Sequence, residues 1–373
     1  MSFIRVALLC SCLCGAPAVL AQSEFLGVSR IVAIGDVHGD YDSFVEVLLE
    51  AELINRRRNW IAGDTHLVQV GDLPDRGPDT DRVIELLRKL EKQAADAGGR
   101  VHALIGNHEA MNMLGDLRYV HPGEYSAFRS GQSRQYRNRY YEQTVLSRQA
   151  NDPYFEPDSA FRKSFEEQFP LGYVEHRFAW APEGEIGSWV LSHNAVIKID
   201  RYLFLHGGLS PALMGSSLED INSQIRDELA GKHAGGIMLS EAQDGPLWYR
   251  GLAQNPETEE AAHVDAVLEF YEVDHIILGH TPGTGVILPR FDGKVLIVDT
   301  GMSSYYGSHG ASLLIENDQL TALQQGERVR IPEGRSPLEY LQRLSDLKPD
   351  APAALGRSLT TWPNQIKNSV RAP

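Results

Sequence analysis

The run Arg30-Ile31-Val32-Ala33-Ile34-Gly35-Asp36-Val37-His38-Gly39 decides the fold. Four apolar residues, three of them β-branched, read as a buried strand, and a glycine and two metal-ligand-type side chains follow at once. The pattern recurs twice. Leu67–Val70 leads into Gly71-Asp72-Leu73-Pro74-Asp75-Arg76-Gly77, and Val101–Ile105 leads into Gly106-Asn107-His108-Glu109. Between these strands the apolar residues switch to helical spacing: Phe44, Val47, Leu48, Ala51, then Val83, Leu86, Leu87, Leu90. Asp40 or Asp42 is placed to cap the first helix, Pro78-Asp79-Thr80 starts the second, and Gly98-Gly99 ends it. This β-α-β-α-β order predicts an α/β fold with parallel strands and right-handed crossovers, whose carboxyl ends share one edge.

Further strands are expected at Arg201–Leu205 before His206-Gly207-Gly208, at His275–Leu278 before Gly279-His280-Thr281, and at Lys294–Val298 before Asp299-Thr300-Gly301. Short strands at Leu313–Glu316 and Leu320–Leu323 follow, and beyond Pro337 the chain turns polar. Residues 115–188 are rich in Arg and Tyr and show no clean period. They read as an insertion after the third motif, either a solvated helical excursion or a lid over the site. The expected organisation is a leader at 1–21, a domain at 28–325 carrying that insertion, and a C-terminal extension at 326–373.

Arg5, the apolar run to Leu20 and the small-residue pattern Val19-Leu20-Ala21 predict a signal peptide cleaved after Ala21, hence a periplasmic or secreted enzyme without a stable membrane anchor. All three cysteines, Cys10, Cys12 and Cys14, lie within that leader. The mature chain would hold no thiol, which excludes thiolate-based phosphatase and protease chemistry. Thirty-five Lys and Arg face fifty Asp and Glu, and losing Arg5 takes the formal charge from −15 to −16. Nucleic acid is therefore not an expected partner, and any phosphate site must be locally positive.

The strand-end residues form an oxygen and nitrogen donor set suited to hard or borderline divalent cations. Asp36 and His38 can turn toward one ion, Asp72 can bridge to a second, and Asn107, His206 and His280 can complete that second site. Two cations held about 3.5–4 Å apart would activate a bridging hydroxide for direct in-line attack on phosphorus, with no covalent intermediate. His108 is the candidate general acid, with Asp75 holding its imidazole. Arg76 and Arg250, the latter in Trp248-Tyr249-Arg250-Gly251, are the expected phosphate-gripping side chains, with Asn107 beside them. His66, His102, His176, His233 and His309 take no role. His108-Glu109-Ala110-Met111-Asn112 starts like a zinc-protease helix but lacks the second histidine at position 112.

The three motifs, in this order, resemble the phosphoprotein phosphatase branch of the calcineurin-like metallophosphoesterases, whose signature is GDxHG, GDxxDRG and GNHE. The resemblance runs from about Arg30 to Gly307. It implies two mixed β-sheets sandwiched between helices (α/β/β/α), Asp36, His38 and Asp72 on a first metal, and Asp72, Asn107, His206 and His280 on a second. The chain lacks the SDP run and SAPNY-like segment of the eukaryotic serine/threonine enzymes. Pro246–Gly251 and Asp299-Thr300-Gly301-Met302-Ser303 instead look like the Shewanella-like protein phosphatases, a subfamily that is often exported and associated with phosphotyrosine. The expected activity is a dimetal phosphomonoesterase on phosphoprotein or phosphopeptide, phosphotyrosine favoured over phosphoserine and phosphothreonine. Manganese is the favoured ion, and iron or zinc also suits the ligands. Hydrolysis of nucleotides or diadenosine polyphosphates on the same site is the alternative. A catalytically inactive metal-binding protein is the alternative of another class.

Overall fold

The computed structural model describes residues 22–233, 235–332 and 337–347. The expected leader lies outside the described residues. Among those described, no helix is long and apolar enough to cross a membrane.

The described strands are β1 (Glu24–Phe25), β2 (Arg30–Ile34), β3 (His66–Gln69), β4 (Arg100–Ala103), β5 (Val196–Ile199), β6 (Tyr202–Leu205), β7 (His275–Leu278), β8 (Leu288–Arg290), β9 (Val295–Ile297), β10 (Ser312–Glu316), β11 (Gln319–Gln324) and β12 (Glu327–Arg330). They form two six-stranded mixed sheets, ordered β12-β11-β10-β2-β3-β4 and β1-β5-β6-β7-β9-β8. Within them β2, β3 and β4 run parallel, as do β6, β7 and β9.

Alternation along the strands makes a layered sandwich. Ile31 and Ala33 of β2 face Phe204, Ile277 and Leu296 of the other sheet, whereas Val32 and Ile34 face a helix layer containing Phe44, Leu48, Val83 and Leu87. On the far side, Leu203, Leu205, Ile276 and Leu278 pack under Ile221, Val264 and Val267. The order is helices, sheet, sheet, helices, as the resemblance implied.

The helices are α1 (Tyr41–Glu50), α2 (Thr80–Asp96), α3 (Asn107–Leu114), α4 (Pro122–Ala127), α5 (Ser133–Asn151), α6 (Ser159–Gln168), α7 (Tyr173–Trp180), α8 (Glu185–Val190), α9 (Leu218–Leu229), α10 (Gly251–Gln254), α11 (Glu257–Tyr271) and α12 (Leu338–Leu347). Asp40, not Asp42, caps α1, its carboxylate accepting from the Ser43 N–H at 3.1 Å. The insertion is helical, α4 through α8. The sheets extend past the expected limits of 28–325: β1 pairs with β5, and β12 pairs with β11. Tyr340, Leu341 and Leu344 of α12 are buried against the inter-sheet core.

Gly35 lies where the two sheets approach each other closely. A Cβ there would lie 2.7 Å from the Val298 carbonyl carbon and 2.8 Å from Asp299 Cα, so no larger residue fits without moving backbone. That approach brings the carboxyl ends of both parallel strand sets to one place.

Candidate metal and phosphate site

Six strands deliver the site. Asp36 and His38 follow β2, Asp72 follows β3, Asn107 opens α3 just after β4, His206 follows β6, His280 follows β7 and Asp299 follows β9. All are buried. His38, Asp72, Asp75, Arg76 and His280 hold positive φ of 49 to 73°, a strained region for side chains other than glycine, and their clustering here is typical of a functional site. Gly71, at φ 100°, lets the chain turn so tightly that a Cβ would lie 2.7 Å from Gly106 and 2.9 Å from His206 Nδ1.

Hydrogen bonds fix which histidine nitrogens face inward. His206 Nδ1–H donates to the Val70 carbonyl at 2.9 Å, leaving the Nε2 lone pair exposed to the site. That lone pair lies 2.8 Å from Asn107 Oδ1, 3.2 Å from Asp72 Oδ2 and 3.1 Å from His280 Nδ1. His38 Nδ1–H likewise donates to Pro74 O at 3.1 Å, and its Nε2 sits 3.9 Å from both Asp36 Oδ2 and Asp72 Oδ2. Acceptor atoms converging on each other in a dry pocket repel unless a cation lies between them. The donor sets His38, Asp72, His108 and Asp72, His206, His280 each have ligand atoms within 4.8 Å of one another, and they share Asp72. The residues present therefore fit two adjacent cations bridged by Asp72.

Charge points the same way. Asp36 is pushed well above the usual carboxylate range by burial and by Asp299 and Asp72; Asp299 rises to about 6, chiefly by burial. Burial pushes His38 down to about 3 and His280 well below its ordinary value, with the neighbouring His108 and His206 adding to this. Burial pushes Asp72 up, but the surrounding imidazoles outweigh it and hold that carboxyl well below normal. Buried acids crowded beside imidazoles, with His38 and His280 kept neutral by burial, make a cation cage.

His108 belongs to the first of these donor sets, at the edge of the cage beside Asp75. Its Nδ1 hydrogen-bonds Asp75 Oδ2, its backbone N–H donates to Asp72 Oδ1 at 2.9 Å, and its Nε2 points toward Asp72 Oδ2 at 3.8 Å. Burial lowers its pKa, but Asp72 and Asp75 together carry it above the ordinary value. The expected pairing of His108 with Asp75 is present in the structure. Arg76 lies with its guanidinium 3.8 Å from the Tyr119 ring centre and 4.8 Å from that of Tyr305, whose hydroxyl accepts from Nη1 at 3.3 Å. Arg250, half-buried, lies close enough for its charge to depress His280.

Three functional groups escaped the sequence reading. Glu109 accepts the N–H groups of Asp72, Leu73 and Gly106 at 2.7–2.9 Å, fixing the bridging Asp72 and the start of α3. Asn112 donates to Asp75 Oδ1 at 3.0 Å and to the His108 carbonyl at 2.9 Å. Asp299 lies against Asp36 with one carboxylate oxygen unpartnered. Its signal was available, since it ends a predicted strand as the ligands do. Of the histidines given no role, His66 and His102 pair with each other at 3.1 Å away from this site.

The calcineurin-like phosphoesterase profile matches residues 29–283. The chain belongs to that family. It is similar to Shewanella-like protein phosphatase 2 of Arabidopsis thaliana, 29% identical over 93% of this chain and 88% of the relative. It is also similar to Shewanella-like protein phosphatase 1 of Plasmodium berghei, 28% identical over 74% and 68%. Among solved structures, the cold-active protein-tyrosine phosphatase of a psychrophilic Shewanella superposes with a TM-score of 0.64 at 32% identity, over 83% of this chain and 82% of that one. The chain is thus a metallophosphoesterase related to the Shewanella-like protein phosphatases, with a donor set consistent with two metals.

Proposed function

We propose that this enzyme is an exported dimetal phosphomonoesterase acting on phosphorylated protein or peptide, with phosphotyrosine the favoured residue. The observation that carries the reading is the convergence of Asp72, Asn107, His206 and His280 acceptor atoms on one buried point, next to a second formed with Asp36 and His38. When bound, paired cations polarise phosphoryl oxygens and lower the pKa of water. Manganese is the first choice, and iron or zinc also fits the donors.

The chain's own residues do the rest. Asn107, Arg76 and Arg250 hold the phosphoryl group, the arginines offering paired N–H donors to its oxygens. Arg76 arrives preoriented, since Tyr119 and Tyr305 flank its guanidinium. His108, charged and anchored through Nδ1 by Asp75, presents Nε2–H to the departing oxygen and gives it a proton. The ring-lined rim (Tyr119 5.2 Å from His108, Tyr306 5.4 Å from His38) supports an aromatic alcohol as leaving group. Likeness to a protein-tyrosine phosphatase supports the same choice.

The test is a metal analysis of the mature protein with rates on a phosphotyrosine peptide, a phosphoserine peptide and diadenosine tetraphosphate. The phosphotyrosine peptide should be fastest, and a chelator should abolish its hydrolysis until Mn²⁺ is restored. Faster turnover of diadenosine tetraphosphate would move the site to nucleotide chemistry. Hydrolysis unaffected by stripping the metals would end the reading altogether.

A further inference from the structure

A second cavity lies in the insertion, between α5 and α7. It has a volume of about 470 Å³ and is lined by Tyr136, Arg139, Tyr140 and Gln143 from α5 and by Tyr173, Val174, Arg177 and Phe178 from α7. The α5 residues fall at i, i+3, i+4 and i+7, one face of a helix, so the Arg/Tyr pattern of this segment is periodic after all. Ring pairs span this seam, Tyr140 on Tyr173 at 5.9 Å between centres and Tyr136 on Phe178 at 6.0 Å, and they form the aromatic walls of the cavity.

The chemistry of the lining is one-sided. It holds two arginines and no carboxylate, in a chain of formal charge −15. Arg139 is exposed and has no ion-pair partner among the described residues; the nearby Glu175 does not line the cavity, and its Oε1 accepts from Ser130 and Ser133. Aromatic faces with an unpaired guanidinium at the rim match a flat ring bearing a negative group. The volume suits a free molecule of one or two rings. Arg177 also reaches the carbonyls of Asn112 and, at 3.3 Å, Met113, closing the C-terminal end of α3. Asn112 in turn holds Asp75 and His108.

We propose that the α5–α7 cavity binds a small aromatic anion, and that occupancy reaches the His108–Asp75 pair through Arg177 and Asn112. An anion drawing the Arg177 guanidinium into the cavity loosens its hold on α3. The effect falls on kcat, because substrate binding uses other groups.

Calorimetric titration with naphthalene-1-sulfonate, which no phosphatase can cleave, tests the site without assuming the catalytic reading. Saturable one-to-one binding is expected, about tenfold weaker in Arg139→Gln, unchanged in Asp72→Asn, and unmeasurable for the neutral 1-naphthalenemethanol. Absence of saturable binding, equal affinity in Arg139→Gln, or loss in Asp72→Asn would overturn it. Arg139 touches nothing the fold needs, so its variant folds. The kinetic arm rests on the phosphatase reading. Saturating ligand should lower kcat on a phosphotyrosine peptide at least about fivefold with KM unchanged. A rise in KM alone, or no change in kcat, would overturn the link through Arg177 while leaving the binding site itself supported by calorimetry.

Discussion

Replacing Asp75 with Asn removes one charge and keeps the shape. Asp75 is fully buried; one oxygen meets His108 Nδ1 and the other accepts from Asn112 Nδ2 at 3.0 Å. An amide can satisfy only one of these donors. If its oxygen faces His108, its NH₂ confronts the Asn112 NH₂; if flipped, it turns a donor on His108 Nδ1–H. Either arrangement strands a buried donor, at a cost of about 1–3 kcal/mol. Catalytically, the loss is larger. The Asp72 charge that helps raise the His108 pKa is offset once cations lie on Asp72, which leaves Asp75, with a smaller contribution from Glu109, to keep the imidazole protonated. A positioned general acid contributes about 10²–10⁴-fold, or roughly 3–5 kcal/mol of barrier.

The assay is kcat on two aryl phosphates differing in leaving group, p-nitrophenyl phosphate and phenyl phosphate, with metal content measured in parallel. Asp75→Asn should slow phenyl phosphate about 100-fold or more and p-nitrophenyl phosphate by about tenfold or less, with two metals retained, because nitrophenolate leaves without a proton. The sign of the pH effect follows. His108 supplies its proton below its folded pKa and loses that ability as pH rises through it. Removing Asp75 lowers that pKa, so the alkaline limb for phenyl phosphate should move to lower pH. Equal slowing of both substrates, or loss of metal, would refute the assignment of acid and anchor.

Asp72→Asn should lose both metals and all activity together, read by elemental analysis, because Asp72 is common to both donor sets; retention of one tightly held ion would contradict the bridge. Glu109→Gln should cost about 1–3 kcal/mol in urea unfolding, because its carboxylate accepts from three buried backbone N–H groups and an amide turns a donor on at least one. Unchanged stability would show that Glu109 holds nothing. Gly35→Ala should lower the urea midpoint by an amount equivalent to about 2–3 kcal/mol, since its methyl would meet backbone of the opposite sheet at 2.7–2.8 Å. A wild-type midpoint would mean that the sheets are not so closely apposed.

The parallel strands were legible because burial on both faces makes them near-continuous apolar runs, and because each leads into a ligand-type residue with a glycine close by. What was illegible lacks such a run. β8 contains Pro289, and β12 sets one Glu and two Arg about a single buried Val329. α12 hides Tyr340, Leu341 and Leu344 within a polar sequence. α5 buries Ser133 alone among its residues, so apolar periodicity could not reveal it. Its periodicity lies in Tyr and Arg, which a hydrophobic template does not count.

The site shows the same divide between residues that touch the reaction and residues that hold them. His108-Glu109-Ala110-Met111-Asn112 fails as a zinc-binding helix, and the failure hid its purpose. On α3 the residues i and i+4 do fall on one face, but they converge on Asp75 rather than on a metal: His108 by its ring, Asn112 by its amide. Glu109 turns back to grip the loop that carries Asp72. Such partners leave no signature in one sequence, since a Glu or Asn that accepts or donates to backbone occurs in any helix. Only the Asp75 backbone, turned into the left-handed region at φ 73° beside Arg76 at 67°, sets them in reach. A histidine, the residue the zinc motif demands, would offer Asp75 one ring nitrogen and leave the His108 carbonyl without its second donor. On the proposed reading, Asn at 112 serves the acid by holding Asp75 and the His108 carbonyl, and is not a defective ligand.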